Sequence, residues 1–368
     1  MNKKIKILLS GGGTGGHIFP AIAIAEEFRK RFPEAEFLFI GALGKMEMQK
    51  VPQAGFKIIG LNIAGFDRGN LLSNFKLPYK IITSLLAARK IIKDFQPDLA
   101  IGTGGYASGP ALWTASKMGI PIFVQEQNSL PGKTNVFLAK KAKAVFTAYP
   151  GMEKYFHNNP TYFLGNPVRQ TIIDGQMDSN IAKSKLGLDN SKLAILSVGG
   201  SLGSRTINNA WKKNIESLNA KNIQLIWQTG TTDYKSLLES NITGQNKGIL
   251  MTEFIQDMSV AYSAADIIVS RAGAIAISEL AIAGKPVLLV PFPFAAEDHQ
   301  TKNAQALVEK NAAKMVKDSE MDDEFWNTLI DITDDEKLRT TMSTAIEFFA
   351  KPNATEQIVN KIIEILKN

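Results

Sequence analysis

The chain has 368 residues, 45% of them apolar and 21% charged, and no cysteine; that length suits two domains of ordinary size better than one core. The missing cysteines exclude disulfides, thiolate metal sites and a catalytic cysteine together, and leave a cytosolic address unopposed. A net charge of +7 with a pI near 9.2 suits anionic partners such as nucleic acid, acidic lipid or phosphorylated substrates.

The opening Met1-Asn2-Lys3-Lys4 has the charge of a secretory leader, but the apolar run behind it stops at Ser10 and a glycine cluster, so no signal peptide is expected. The richest apolar stretch, Ala272 to Phe294, carries Glu279 and Lys285 and does not read as a bilayer span. Any membrane contact is therefore expected to be peripheral. Six cations (Arg68, Lys76, Lys80, Arg89, Lys90, Lys93) fall between Arg68 and Lys93 without an acid, so the positive face belongs to the first half.

Short β-type runs alternate with helical patterns, the grammar of a parallel sheet with crossover helices. Ile5 to Leu9 reads as a buried strand and Pro20 to Phe32 as an amphipathic helix; Phe37 to Ile40, Asp98 to Ile101, Ile122 to Gln125 and Ala144 to Thr147 continue the strands. After Gly165-Asn166-Pro167 the pattern restarts: strand Leu193 to Val198, helix Ser204 to Leu218, strands Gln224 to Gln228 and Asp266 to Ser270, helix Ile275 to Ala283, strand Val287 to Val290. Thr355 to Leu366 forms a last helix behind Pro352. Each half opens with an apolar strand, a glycine turn and a helix, so the expected fold class is α/β, with two Rossmann-like domains facing a cleft. The segment Leu71 to Ile92 mixes Leu71, Leu72, Phe75, Tyr79, Ile82, Leu85 and Leu86 with the cations; Pro78 predicts two short helices there, with a surface suited to anionic headgroups.

A strand that runs through glycines into a helix places backbone N–H groups and the positive end of the helix dipole where an anion can sit. Gly11, Gly13 and Gly16 match the dinucleotide fingerprint, but Ile40-Gly41 offers no ribose-binding acid, which argues against a nicotinamide cofactor. A second glycine loop runs from Gly102 to Pro110 and a third from Gly199 to Gly203. His17 starts the helix behind the first loop, where the dipole favours neutral imidazole, as a general base requires. Glu126, in Gln125-Glu126-Gln127-Asn128, is a second candidate base or a structural acid, and Asn128 a candidate sugar ligand. Glu279, on the helix after Arg271-Ala272-Gly273, is placed to accept two bonds from a ribose diol. Neither Asp-x-Asp nor His-Glu-x-x-His occurs, so no metal and no other cofactor is expected, and no RNA-binding signature supports nucleic acid.

Taken in order, Gly12-Gly13-Thr14-Gly15-Gly16-His17 with Pro20, Gly104-Gly105-Tyr106 with Ser108-Gly109-Pro110, Glu126-Gln127-Asn128, Gly165-Asn166-Pro167-Val168-Arg169, Gly199-Gly200-Ser201 with Gly203, and Gly273-Ala274 through Glu279 resemble the MurG family of peptidoglycan-synthesising N-acetylglucosamine transferases. The resemblance implies the GT-B architecture. Residues 1–165 would form an acceptor- and membrane-binding domain, 166–351 a domain for the UDP-sugar, and helix 352–368 would pack back on the first. It also implies inverting, metal-independent transfer of N-acetylglucosamine from UDP-N-acetylglucosamine to undecaprenyl-pyrophosphoryl-N-acetylmuramoyl-pentapeptide. The enzyme would sit peripherally on the cytoplasmic face of the cell membrane, docking on anionic lipid through Leu71 to Lys93. By position, Thr14, Gly15 and Gly16 would line the cleft, Asn128 would meet the donor sugar, Arg169 would lie at the hinge side and Ser201 on phosphate. Ile255 would read uracil through its backbone, Ala274, Ile275, Ala276, Ile277, Ser278 and Glu279 would hold diphosphate and ribose, and Gln300 the sugar hydroxyls. His299 stands where some members carry a second glutamine. UDP-N-acetylglucosamine 2-epimerases and diacylglycerol glucosyltransferases are the alternatives on the same nucleotide-sugar theme.

Overall fold

A computed structural model describes residues 4–63, 65, 75, 77–157, 159–200, 202–241 and 248–367. They form two compact units, one of Met1–Val168 with Lys351–Asn368 and the other of Arg169–Ala350.

The first unit carries seven strands: β1 (Lys6–Gly11), β2 (Glu36–Ala42), β3 (Lys57–Leu61), β4 (Leu99–Gly104), β5 (Ile122–Glu126), β6 (Ala144–Thr147) and β7 (Thr161–Phe163). All pair parallel in the order β3-β2-β1-β4-β5-β6-β7. The strand order reverses between β1 and β4, the place where a crevice opens beyond the carboxyl ends of an open α/β sheet. Both glycine loops of this unit leave from those two strands. Ile7, Leu9, Ile101 and Phe123 are sealed from water by Ile18, Ile24 and Phe28 of helix Gly15–Arg31. Central strands buried on both faces read as continuous apolar runs, which is why these were visible in the sequence.

The second unit repeats the plan with β8 (Ala194–Val198), β9 (Gln224–Gln228), β10 (Ile249–Thr252), β11 (Ile267–Ser270), β12 (Val287–Leu289) and β13 (Lys314–Met315). The sheet is again all parallel, in the order β10-β9-β8-β11-β12-β13. Its reversal lies between β8 and β11. Trp211 and Trp227, both fully buried, fill its core beside Phe325; their indole N–H groups donate to Ser197 Oγ at 2.7 Å and Asn208 Oδ1 at 3.0 Å, the partners buried indoles require.

The last helix, Ala354–Lys367, buries Ile358, Val359 and Ile362 in the core of the first unit. Arg31 fastens it by donating to Asn360 Oδ1 and to the Glu356 carbonyl.

One helix boundary departs from the sequence reading. The helix expected from Pro20 starts at Gly15, with Pro20 inside it, because the glycine turn rather than the proline sets its first residue. Pro78 lies in the first turn of helix Leu77–Phe95, where a missing N–H costs no intrahelical bond; the first of the two short helices expected around it falls largely outside the described residues. Arg68, Leu71, Leu72 and Lys76 lie outside the described residues.

Candidate functional site

In the first unit, the carboxyl edge is knitted by neutral amides and hydroxyls. Thr103 Oγ1 donates to the His17 carbonyl at 2.6 Å, and Ser108 Oγ to the carbonyls of Ser10 and Gly104, each at 2.7 Å. Gln127 Nε2 reaches the Thr103 carbonyl at 2.8 Å. Gln125 Nε2 donates to Asn166 Oδ1 at 2.8 Å, while Asn166 Nδ2 donates to the Gln127 carbonyl at 3.2 Å. Two motifs about 40 residues apart in sequence thus become one hydrogen-bonded layer.

Glu126 is buried and its carboxylate accepts four bonds: from Asn128 N–H at 2.9 Å, Asn128 Nδ2 at 3.2 Å, Gly132 N–H at 3.0 Å and Asn135 Nδ2 at 2.8 Å. Those bonds fill the acceptor capacity of a carboxylate and give Glu126 the task of shaping the loop that carries Asn128. Asn128 itself is half-buried beside it.

His17 lies in the first turn of its helix. Its Nδ1 stands 3.0 Å from the Gly12 carbonyl; a carbonyl can only accept, so Nδ1 carries the proton and Nε2 is the basic nitrogen of the neutral ring. The Nε2 edge lies against Gly104, where an added Cβ would sit 3.0 Å from it.

The first glycine loop is less open than its composition suggests. Gly12 N–H donates to the Gly104 carbonyl at 3.2 Å, and Gly13 N–H to Glu47 Oε2 at 2.9 Å. Glu47, fully buried, also accepts from Ala42 N–H at 3.0 Å. A Cβ on Gly12 would collide with the Glu47 carboxylate, and one on Gly105 with the Gly12 backbone. The small residues here serve packing as much as ligand approach. The N–H groups of the helix's opening turn, at Gly15 and Gly16, have no acceptor within the helix, and the exposed Thr14 precedes them.

In the second unit, Gly203 packs against the Thr229 carbonyl, whereas Gly200 and Gly273 have nothing within 4 Å of an added Cβ. Ser201 lies outside the described residues. Helix Ala274–Ala283 starts behind Gly273. Ala274, Ile275, Ala276 and Ser278 are half-buried, but the Ile277 side chain belongs to the core and its N–H donates to the Gly273 carbonyl at 2.9 Å, so neither is offered to a ligand. Gln300 Oε1 accepts from Ala272 N–H at 3.1 Å and Phe292 N–H at 3.0 Å, which clamps two loops and leaves its amide nitrogen as the donor. Ile255 N–H is taken by Gln228 Oε1 at 2.9 Å, so its carbonyl is the backbone group suited to an imide N–H. His299 pairs loosely with Glu297 at 3.5 Å.

Glu279, buried, receives Arg169 side-on: Nε to Oε1 at 3.0 Å and Nη2 to Oε2 at 3.2 Å. Tyr262 OH donates to Oε2 at 3.2 Å. Burial first, and the Glu279 charge second, push the Tyr262 phenol well above its ordinary range, so it stays a donor. Arg271, at the end of β11, pairs with Asp318 at 2.5 Å and donates to the carbonyls of Val290 and Pro291.

Two family descriptions span these edges: the glycosyltransferase family 28 N-terminal domain matches residues 7–147 and its C-terminal domain residues 194–358. The chain belongs to glycosyltransferase family 28. A relative from Parabacteroides distasonis, 48% identical over 99% of both chains, is named UDP-N-acetylglucosamine--N-acetylmuramyl-(pentapeptide) pyrophosphoryl-undecaprenol N-acetylglucosamine transferase. The solved structure of Acinetobacter baumannii MurG superposes with a TM-score of 0.79 at 29% identity, covering 98% of this chain and 100% of that one. A UDP-N-acetylglucosamine 2-epimerase structure, 15% identical with a TM-score of 0.66 and coverage of 99% and 96%, shares the fold alone. The two parallel-sheet domains and the transferase class read from the sequence are those of family 28.

Sequence reasoning did not single out Glu47, Asn135, Gln228 or Tyr262. Glu47 and Asn135 sit in short helices with no motif around them, and Tyr262 lies in an apolar run that reads as core. The only available signal was chemical: an acid or amide among residues that bury completely needs partners. Among the described residues no group of three or more acids and histidines converges as a metal site, and no helix is long and apolar enough to cross a membrane.

Proposed function

We propose that this chain transfers N-acetylglucosamine from UDP-N-acetylglucosamine to the muramoyl 4-hydroxyl of undecaprenyl-pyrophosphoryl-N-acetylmuramoyl-pentapeptide. The observation that carries the reading is full-length identity near one half to a relative of that name, with both family domains present in order. In this reaction the hydroxyl attacks the anomeric carbon, the bond to the UDP oxygen breaks, and a β-1,4 link forms with inversion. His17 Nε2 takes the hydroxyl proton, a role supported by the Nδ1 contact to the Gly12 carbonyl. Asn128, held by Glu126, meets the donor sugar, and Gln300 offers its amide nitrogen to sugar hydroxyls.

The departing diphosphate is met by Ser201 and by backbone N–H groups at Gly200 and the opening turn Ala274 to Ala276, with Ser278 beside them; backbone dipoles need no reorganisation as charge develops. Glu279 takes the ribose diol, Ile255 the uracil edge, and Arg169 adds positive charge. Thr14, Gly15 and Gly16 face the acceptor. In domain terms, residues 1–165 with helix 352–368 handle acceptor and membrane, and 166–351 the UDP-sugar.

The helix Leu77–Phe95 supports peripheral docking on the cytoplasmic leaflet. It exposes Tyr79, Ile82 and Leu86 along one stripe, continued by Arg89, Lys90 and Lys93, with Phe75 exposed just before it. Co-sedimentation with phosphatidylglycerol vesicles should fall at least fivefold in an I82S/L86S/K90E variant; binding unchanged from the parent would reject the surface. The reaction is tested by incubating the chain with labelled UDP-N-acetylglucosamine and a short-chain lipid-linked muramoyl acceptor. Labelled disaccharide is expected; conversion of the nucleotide sugar without acceptor would instead support an epimerase.

A further inference from the structure

Glu279 has about four acceptor positions on its two oxygens. Arg169 occupies two of them side-on and Tyr262 a third, which leaves one. A ribose cis-diol donating through both hydroxyls needs two. On the reading that Glu279 binds ribose, Arg169 must therefore give up a bond when the donor enters. Its side chain is 53% exposed and has room to leave.

Tyr262 is in the opposite position. It is buried within helix Met258–Ala264, seven residues anchored by Asp257, whose carboxylate accepts from Ser259 N–H and Val260 N–H. The residue is only 6% exposed. A Glu279 side chain only 8% exposed would, once Arg169 moves, trade a charged donor for two neutral ones, with Tyr262 the contact that stays in place. A buried carboxylate with too few donors rotates toward others and stops presenting two acceptors to the diol.

We propose that Tyr262 is a positioning residue for donor recognition: its hydroxyl keeps Glu279 oriented while Arg169 yields its place to the ribose diol. Tyr262 touches no substrate. Its contribution is to the discrimination of ribose from deoxyribose in the nucleotide, and so appears in donor affinity rather than in the chemical step. Arg169 and Tyr262 thus play unequal parts on one carboxylate, a removable occupant and a permanent support.

The test uses the full-length chain, UDP-N-acetylglucosamine and its 2′-deoxyuridine analogue, with wild type, Glu279→Gln and Tyr262→Phe. The phenylalanine variant removes one oxygen and leaves the ring burial intact; circular dichroism and thermal unfolding verify its fold. Wild type should prefer the ribo donor by at least tenfold in kcat/KM, as expected for a buried acceptor left unpaired by the missing hydroxyl. Tyr262→Phe should raise KM for the ribo donor about tenfold, change KM for the deoxy donor and for the acceptor by less than twofold, and leave kcat within twofold. Equal losses on both donors, or retention of the full preference, would overturn the proposal. If the preference vanishes in Glu279→Gln but survives in Tyr262→Phe, the proposal alone fails. If wild type shows no preference, the ribose role of Glu279 fails and this proposal with it.

Discussion

The two sheet edges are built on the same strand order but hold their charges differently. In the first unit, the buried Glu126 and Glu47 are satisfied by amide and backbone donors. In the second, Glu279 and Asp318 meet arginines, Arg169 and Arg271. Fixed backbone donors make an acid part of the scaffold, since no ligand can replace an N–H that the chain cannot move. An arginine on a flexible stem is a partner that a ligand can displace. The difference assigns a rigid frame to the edge that carries His17 and an exchangeable set of contacts to the edge that carries Glu279.

The sharpest way to break this contrast is Glu126→Ala. It takes the acceptor from the half-buried N–H groups of Asn128 and Gly132 and from the buried Asn135 amide, at about 4 kcal/mol in total, which corresponds to a fall in Tm of roughly 10 °C. Thermal unfolding checks it; a shift no larger than that of a surface substitution would mean the loop needs no buried acid. Glu47→Ala removes the acceptor for Gly13 and Ala42 and should cost about 2 kcal/mol, visible as a lower urea midpoint with donor KM within twofold of wild type. A large donor effect there would erase the distinction between the edges.

The smallest effect is at Asp257, which caps the helix that bears Tyr262. Its hydrogen bond from the Ser259 hydroxyl, before the two backbone bonds, holds its pKa below the ordinary carboxylate value. A carboxylate whose folded pKa is depressed adds stability that is fully present above its unfolded pKa and is lost as pH falls through the folded one. Asp257→Ala should thus cost about 1 kcal/mol at neutral pH, and the gap from wild type should close as the pH drops below the value for free aspartate. Urea melts at pH 7 and pH 3 read both.

What the sequence disclosed follows from how locally each feature is determined. Strand Gln224–Gln228 was read residue for residue and Leu193 to Val198 to within one, because both are apolar runs bounded by turns. Edge strands β3, β7 and β13 are short and half-exposed and carry no such run. The glycine loops, His17, Glu126 and Glu279 stood out by position after strands. Their partners did not: Glu47 is 34 residues from Gly13, Tyr262 is 17 from Glu279 and Arg169 is 110 from it, so only the folded sheets bring them together. The same limit explains why the glycines read as an open anion cradle. Composition shows where a backbone lacks side chains, but not that Gly12 and Gly13 already spend their N–H groups on Gly104 and Glu47.

The division of labour meets its most direct test in His17→Ala, with single-turnover transfer and UDP-N-acetylglucosamine affinity measured on one preparation. The account predicts a transfer rate lower by about a thousandfold, the usual range for a lost general base, and donor affinity within twofold of wild type. A variant that still transfers near the wild-type rate, or one that loses donor affinity in proportion, would contradict it.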